Sequence, residues 1–330
     1  MARSHLTLAA LATAAVPGLE VSGARAVGSG VHGDYESALI SGADGRYWMI
    51  RLPTSERAEA EQSADLVALR ALSAGVRGRL PFDVTTYAGQ TPISGTRAVV
   101  YEFVRGRKIG LGDIPAGEGL AESIGRAIAA IHALPTSFVA DAGLPVLTPA
   151  DALRTVTTIM DRASATGLVP AALLSRWETA TEDSALWQYA PAVVNGALTA
   201  DSFLVEGSTV TGLLGWQALS VGDPARDLFW LLGSPHPGVA DSAIDAYQLA
   251  RGTRDRQLGM RAMLYAELEL AKWLLHGTQV RSTEIVDDAV GMLHNLLDRV
   301  QGDMSQKLTH ETMPVLAVDE VERLLDSRQA

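Results

Sequence analysis

The sequence predicts an α+β chain with two unequal lobes, a small β-rich N-terminal lobe and a large helical C-terminal lobe. Three observations point there. After a first helix, the first hundred residues alternate β-branched and aromatic runs with one further helix, and from residue 120 the chain turns Ala-rich with apolar positions at helical spacing. A single hairpin signal then interrupts the helical half. The expected division is residues 1–104, residues 105–303 and a tail of residues 304–330.

Leu6 to Val16 reads as an amphipathic first helix stopped by Pro17-Gly18. The same stretch has the apolar run of a signal peptide, but its n-region carries only Arg3 and the helix is the preferred reading. Ala38-Leu39-Ile40 and Tyr47 to Ile50 are strands joined by the turn-rich Ser41 to Gly45. A helix from Ser55 to Val76 follows, with Leu66, Leu69, Leu72 and Val76 near the helical period. Thr96 to Val104 reads as a strand running into Gly106.

In the second lobe, Leu120 to Leu134 carries Ile124, Ile128 and Ile131 on one face and stops at Pro135. Further helices are expected at Pro149 to Ala165, Ala171 to Thr181, Ser242 to Ala250, Arg256 to His276 and Glu284 to Val300, with a short terminal one at Val318 to Leu325. Phe203 to Val205 and Val210 to Leu214 flank the polar turn Glu206-Gly207-Ser208 and form the hairpin. It closes a loop from Asn195 to Ser202.

Composition narrows the function. With 330 residues, 47% of them hydrophobic, the chain can bury sizeable cores. A net charge of −11 with no block of Lys or Arg argues against nucleic acid or an anionic membrane surface as partner. The lack of cysteine excludes disulfides, thiolate metal sites and a Cys nucleophile, and fits a cytoplasmic setting. No segment approaches a transmembrane span, and the seven histidines show no metal-ligand spacing.

Residues 193–233 carry the most information. Gly196, Leu198, Leu204, Val205, Trp216, Gly222, Asp223, Pro224, Asp227 and Leu228 fall at spacings that resemble the aminoglycoside and macrolide phosphotransferases, which have a protein-kinase-like fold. That family shows a His-Gly-Asp-x-x-x-x-Asn loop, a hairpin, Ile-Asp-Trp and Gly-Asp-Pro-x-x-Asp-Leu. Ala127 to Pro135, Ala142-Gly143 with Thr148-Pro149, Arg176-Trp177 and Arg79 to Phe82 bring the pattern nearest to the macrolide enzymes. The resemblance covers nearly the whole chain.

It also implies what is missing. Asn195 stands where the family has the loop His, Ala197 where it has the catalytic Asp, and Ser202 and Gly215 where it has two magnesium ligands. Phosphoryl transfer relies on positioning and charge neutralisation, so these changes remove the main protein contributions. General-base catalysis alone is worth roughly 10² to 10⁴ in rate. No catalytic or metal-binding residue is therefore expected intact. Asp201 is a possible substitute ligand, although a turn cap shared with Thr199 and Ser202 is the plainer expectation. Asp223 and Asp227 are expected to hold the fold together.

For nucleotide, the resemblance and the spelling suggest Gly28, Ser29, Gly30 and Gly33 as a glycine loop over phosphates, with an ordinary Gly-rich hairpin as the equal alternative. Arg51 takes the place of the family's phosphate-contacting cation, and Glu59, Glu61 or Asp65 would pair with it, Glu61 being favoured. Glu102 and Phe103 lie in the linker that would meet a purine through backbone groups, or else in a plain interior strand. The expected cofactor is ATP or GTP with Mg²⁺, bound weakly or not at all. The leading reading is a non-catalytic relative that binds a small molecule or a protein partner. The alternatives are an active small-molecule O-phosphotransferase with a rearranged site that recruits Asp201 or Glu206, and a binding module that uses the acidic helical lobe and Val318 to Leu325.

Overall fold

The computed structural model describes residues 4–27, 34–115, 119–252 and 255–302. Helix α1 (His5–Ala15) is capped by Ser4, whose Oγ accepts from the Thr7 N–H, and it ends before Pro17 as expected. Its Leu8, Ala9, Ala12 and Ala15 are buried against the first sheet. That sheet is antiparallel with strand order β1 (Val21–Ala26), β2 (Tyr35–Gly42), β3 (Tyr47–Pro53), β6 (Thr96–Glu102) and β5 (Tyr87–Ile93). In β3, Trp48, Ile50 and Leu52 are buried against α1, while Met49 and Arg51 face the other way, as a period of two requires.

The helix expected over residues 55–76 is divided. Helix α2 (Glu56–Ala71) starts at Ser55, whose Oγ accepts the Ala58 N–H, and ends at Leu72; Ser73 then caps the one-turn α3 (Ala74–Arg77). Arg77 secures the break by donating to the carbonyls of Leu69 at 2.9 Å and Leu72 at 2.6 Å, which α2 leaves free, and to Val84 and Thr85. Val84 belongs to β4 (Asp83–Val84), which leaves the N-terminal lobe and pairs in parallel with β10 (Thr209–Leu213).

The expected hairpin is β9 (Phe203–Glu206) with β10, and β7 (Arg107–Lys108) extends its other edge. A small antiparallel pair, β8 (Ala192–Val194) with β11 (Ser220–Gly222), lies beside it. Helix α4 (Leu120–His132) buries Ile124, Ile128 and Ile131 completely and packs on α8 (Val239–Arg251). α5 (Ser137–Asp141) is a short turn beyond Pro135.

A second core gathers α6 (Pro149–Ser164), α7 (Ala171–Glu182), α9 (Leu258–Val280) and α10 (Thr283–Gly302). Glu267 sits in it, buried, accepting from Arg176 Nη2 at 2.9 Å and from Trp177 Nε1 at 2.8 Å. Among the described residues no helix is long and apolar enough to cross a membrane. The terminal helix expected at Val318 to Leu325 lies outside the described residues.

Candidate functional site

The loop from Asn195 to Ser202 is held from beneath by Asp227. Asp227 Oδ2 accepts the Asn195 N–H at 2.7 Å and Oδ1 accepts the Gly196 N–H at 2.7 Å. His132 Nε2 lies 3.1 Å from Oδ2 and its Nδ1 lies 2.9 Å from the Tyr247 hydroxyl, all of it buried. A carboxylate only accepts, so Nε2 carries the proton of its bond to Asp227. Gly196 has φ +82°, and a Cβ there would stand 2.6 Å from the Ala218 carbonyl oxygen. Only glycine fits both demands.

Asn195, fully buried, donates its side-chain N–H to the Gly215 carbonyl at 2.7 Å and accepts the Ala197 N–H at 3.2 Å. The loop's far end is fixed by the Leu214 N–H on the Ser202 carbonyl at 2.8 Å. Asp223 caps the turn Pro224–Asp227 through the Ala225 N–H and pairs with the buried Arg261 at 2.8 Å. The expectation that Asp223 and Asp227 hold the fold is thereby met. The frame is complete, and the chemical positions on it are bare: Ala197 is exposed with only a methyl group, Ser202 Oγ accepts the Thr199 N–H at 3.2 Å, and Gly215 has no side chain.

Ser202 and Gly215 open onto a cleft of about 470 Å³ between the lobes. The N-terminal lobe supplies its Tyr35, Arg51, Asp65 and Tyr101 wall, and the linker supplies Glu102, Phe103 and Val104. Lys108, Asp201 and Gln217 come from the other side. The Arg51 guanidinium lies over the Tyr35 ring, 3.9 Å from its centre. Asp65 is buried and accepts the Trp216 N–H at 2.8 Å. Burial raises its pKa above the usual carboxylate range, and the Trp216 hydrogen bond and the Arg51 charge oppose that rise. Beside it the Tyr101 hydroxyl, pushed far up by burial, has no hydrogen-bond partner of good geometry.

Several expectations change here. Glu61 does not pair with Arg51: it is 3.5 Å from Arg57 one turn away, with its side chain 40% exposed. Asp65, buried and bonded to the Trp216 N–H, is the carboxylate on which the Arg51 charge acts, while Glu61 lines the same cleft and is half-exposed. Asp201 does not cap the turn, because the Thr199 and Ser202 side chains and backbone do so, and its own carboxylate has no partner among the described residues. Glu102 turns its carboxylate to Arg46 at 2.6 Å, and Phe103 stacks edge-on with Tyr47. Both still line the cleft. Gly28, Ser29, Gly30 and Gly33 lie outside the described residues. Gln217, Lys108 and the Tyr101 hydroxyl are cleft groups that the sequence did not single out.

The residues at the two expected magnesium positions do not fit the ion. Ser202 offers a hydroxyl already engaged as a turn acceptor and Gly215 offers nothing, which leaves Asp201 as one exposed carboxylate. Among the described residues no three His, Asp or Glu side chains come together as a metal site.

Comparison with known proteins places this geometry. The model of the phosphotransferase enzyme family matches residues 25–263. The uncharacterized protein YcbJ of Bacillus subtilis (strain 168) is 24% identical over 204 residues, which span 59% of this chain and 65% of that protein. Among solved structures, the macrolide 2'-phosphotransferase MphH of Brachybacterium faecium superposes with a TM-score of 0.71 at 22% identity, covering 88% of this chain and 98% of its own. A macrolide 2'-phosphotransferase type I gives 0.68 at 25% identity, over 87% and 96%. The GDP complex of aminoglycoside 2'-phosphotransferase-IIIa gives 0.72 at 18% identity, over 91% and 100%.

Proposed function

The chain belongs to the phosphotransferase enzyme family, and from that membership we propose that its cleft binds a purine nucleotide while ordinary magnesium-dependent phosphoryl transfer has been lost. One observation carries the reading. The loop from Asn195 to Ser202 is fully built, with Asp227 and Asn195 holding its backbone, yet no carboxylate or carboxamide stands at positions 197, 202 and 215. Loss of the base and of two metal ligands removes several kcal/mol of transition-state stabilisation, at about 1.4 kcal/mol per tenfold in rate. The GDP-bound aminoglycoside relative supports nucleotide as the kind of ligand. The protein then acts by binding, with a small molecule or a protein partner as the second component.

Turnover settles the catalytic half. Incubation with ATP or GTP, Mg²⁺ and a panel of macrolides and aminoglycosides is expected to give no phosphorylated product. Rapid metal-dependent transfer to any hydroxyl would overturn the reading. One observation favours the active alternative, the unpartnered Asp201 carboxylate in the cleft. If slow transfer is found and Asp201→Ala abolishes it, the site is rearranged rather than silent.

A further inference from the structure

The space beside Gly215 is filled. Gly215 holds φ +75°, and a Cβ built there would stand 3.2 Å from Gln217 Oε1 and 3.9 Å from its Nε2. The Gln217 carboxamide thus lies against the point from which any side chain at position 215 would start. It is half-buried, lines the cleft and makes no hydrogen bond among the described residues. A carboxamide donates two N–H bonds and carries no charge, so it can meet a phosphate oxygen directly where a carboxylate can do so only through a cation.

The surrounding groups have the same character. Arg51 lines the cleft with its guanidinium over the Tyr35 ring and its charge acting on Asp65, making no hydrogen bond through its side chain among the described residues. Lys108 lines the cleft with no side-chain partner among them. Ser202 accepts from the Thr199 N–H at 3.2 Å, and its hydroxyl also lies 3.5 Å from the Thr199 hydroxyl. The opposing carboxylates are in part committed, Glu61 to Arg57, Glu102 to Arg46 and Asp65 to the Trp216 N–H, which leaves Asp201. Donors and cations therefore share the cleft onto which positions 202 and 215, the family's places for metal acceptors, open. Direct charge-assisted hydrogen bonds to phosphate are short and strong and need no bridging ion.

We propose that the cleft holds a nucleoside di- or triphosphate without a divalent cation, the Gln217 carboxamide donating to a phosphate oxygen while Arg51 and Lys108 balance its charge. This rests on the reading of the cleft as a nucleotide site. Magnesium complexed to the nucleotide would compete with Arg51 and Lys108 and gain only Asp201 in return.

Isothermal titration of the full chain with ATP and with GTP, first in EDTA and then in excess MgCl₂, tests it. Binding in EDTA that Mg²⁺ leaves unchanged or weakens is the expected result. The isosteric Gln217→Glu, checked for folding by its thermal melt, should bind about tenfold more weakly in EDTA and recover part of that in Mg²⁺. Lys108→Gln, on an exposed residue, should cost about fivefold in EDTA. Wild-type binding that requires Mg²⁺ overturns this inference and leaves the nucleotide site standing. No binding in either condition overturns both. Equal affinity of wild type and Gln217→Glu in EDTA removes the role given to Gln217.

Discussion

The Asp65 carboxylate, on α2 of the small lobe, accepts the main-chain N–H of Trp216, in the large lobe, at 2.8 Å. One hydrogen bond thus ties the cleft's back wall to the segment that carries Gly215 and Gln217. It also makes the junction sensitive to pH. Burial raises the Asp65 pKa above its ordinary value of 3.8, so the folded protein holds the proton where the unfolded chain has released it. The contribution of Asp65 is fully present below that ordinary value and is lost as pH rises through the folded one. Asp65→Asn keeps an acceptor for Trp216 and removes the titration. Urea unfolding on both sides of the window should show wild type losing stability relative to the variant as pH rises, by about 1.4 kcal/mol for each tenfold difference in proton affinity. A gap that does not change with pH would refute this.

Arg261 is the heaviest single investment in the large lobe. It is fully buried, bonded to Asp223 at 2.8 Å, to Asp255 at 2.5 Å and to the Leu186 carbonyl at 3.2 Å, and it lies over the Tyr189 ring. Arg261→Met should lower unfolding stability by about 3 to 5 kcal/mol, because it leaves Asp223 charged and buried. Arg261→Lys should recover little, since a point charge cannot reach Asp223, Asp255 and Leu186 together. Denaturation midpoints of the two variants, compared with wild type, check both statements.

What the sequence disclosed follows from where its signals are local. Ile124, Ile128 and Ile131 recur at helical spacing because one face of α4 is wholly buried, and Pro17 marks the end of α1 because proline cannot continue a helix. Strand β5 was not legible, since Gly89 and Pro92 break its alternation; as an edge strand it tolerates the proline. Strand β4 has two residues and pairs with a partner far along the chain, so nothing local announces it.

The site divides in the same way. Gly196, Asp223 and Asp227 were readable as a frame through the resemblance to the family pattern, while the contact that joins Gly196 to Asp227 links segments far apart in the chain, which spacing alone does not announce. Glu61 and Asp65 lie one turn apart on the same side of α2, and the sequence does not say which of them the sheet covers. Gln217 gave no signal, because an amide two residues after a glycine reads like any solvated loop residue.

Asp227 answers for the whole loop. It accepts from the Asn195 and Gly196 main chain at 2.7 Å each and from His132 at 3.1 Å, with no exposed surface. Asp227→Asn keeps the shape but exchanges one acceptor oxygen for an N–H₂ group, and whichever way the amide turns, a donor faces a donor. The expected loss is about 1.5 to 3 kcal/mol, the range for a hydrogen bond to a charged group. Amide hydrogen exchange at Asn195 and Gly196 should quicken in step with it. Asp201→Asn, on the exposed and unpartnered carboxylate a few residues away, should change stability by no more than about 0.5 kcal/mol. Equal destabilisation by the two substitutions would contradict the division drawn between them, because it would mean that the loop depends on Asp201 as much as on the carboxylate that holds its backbone.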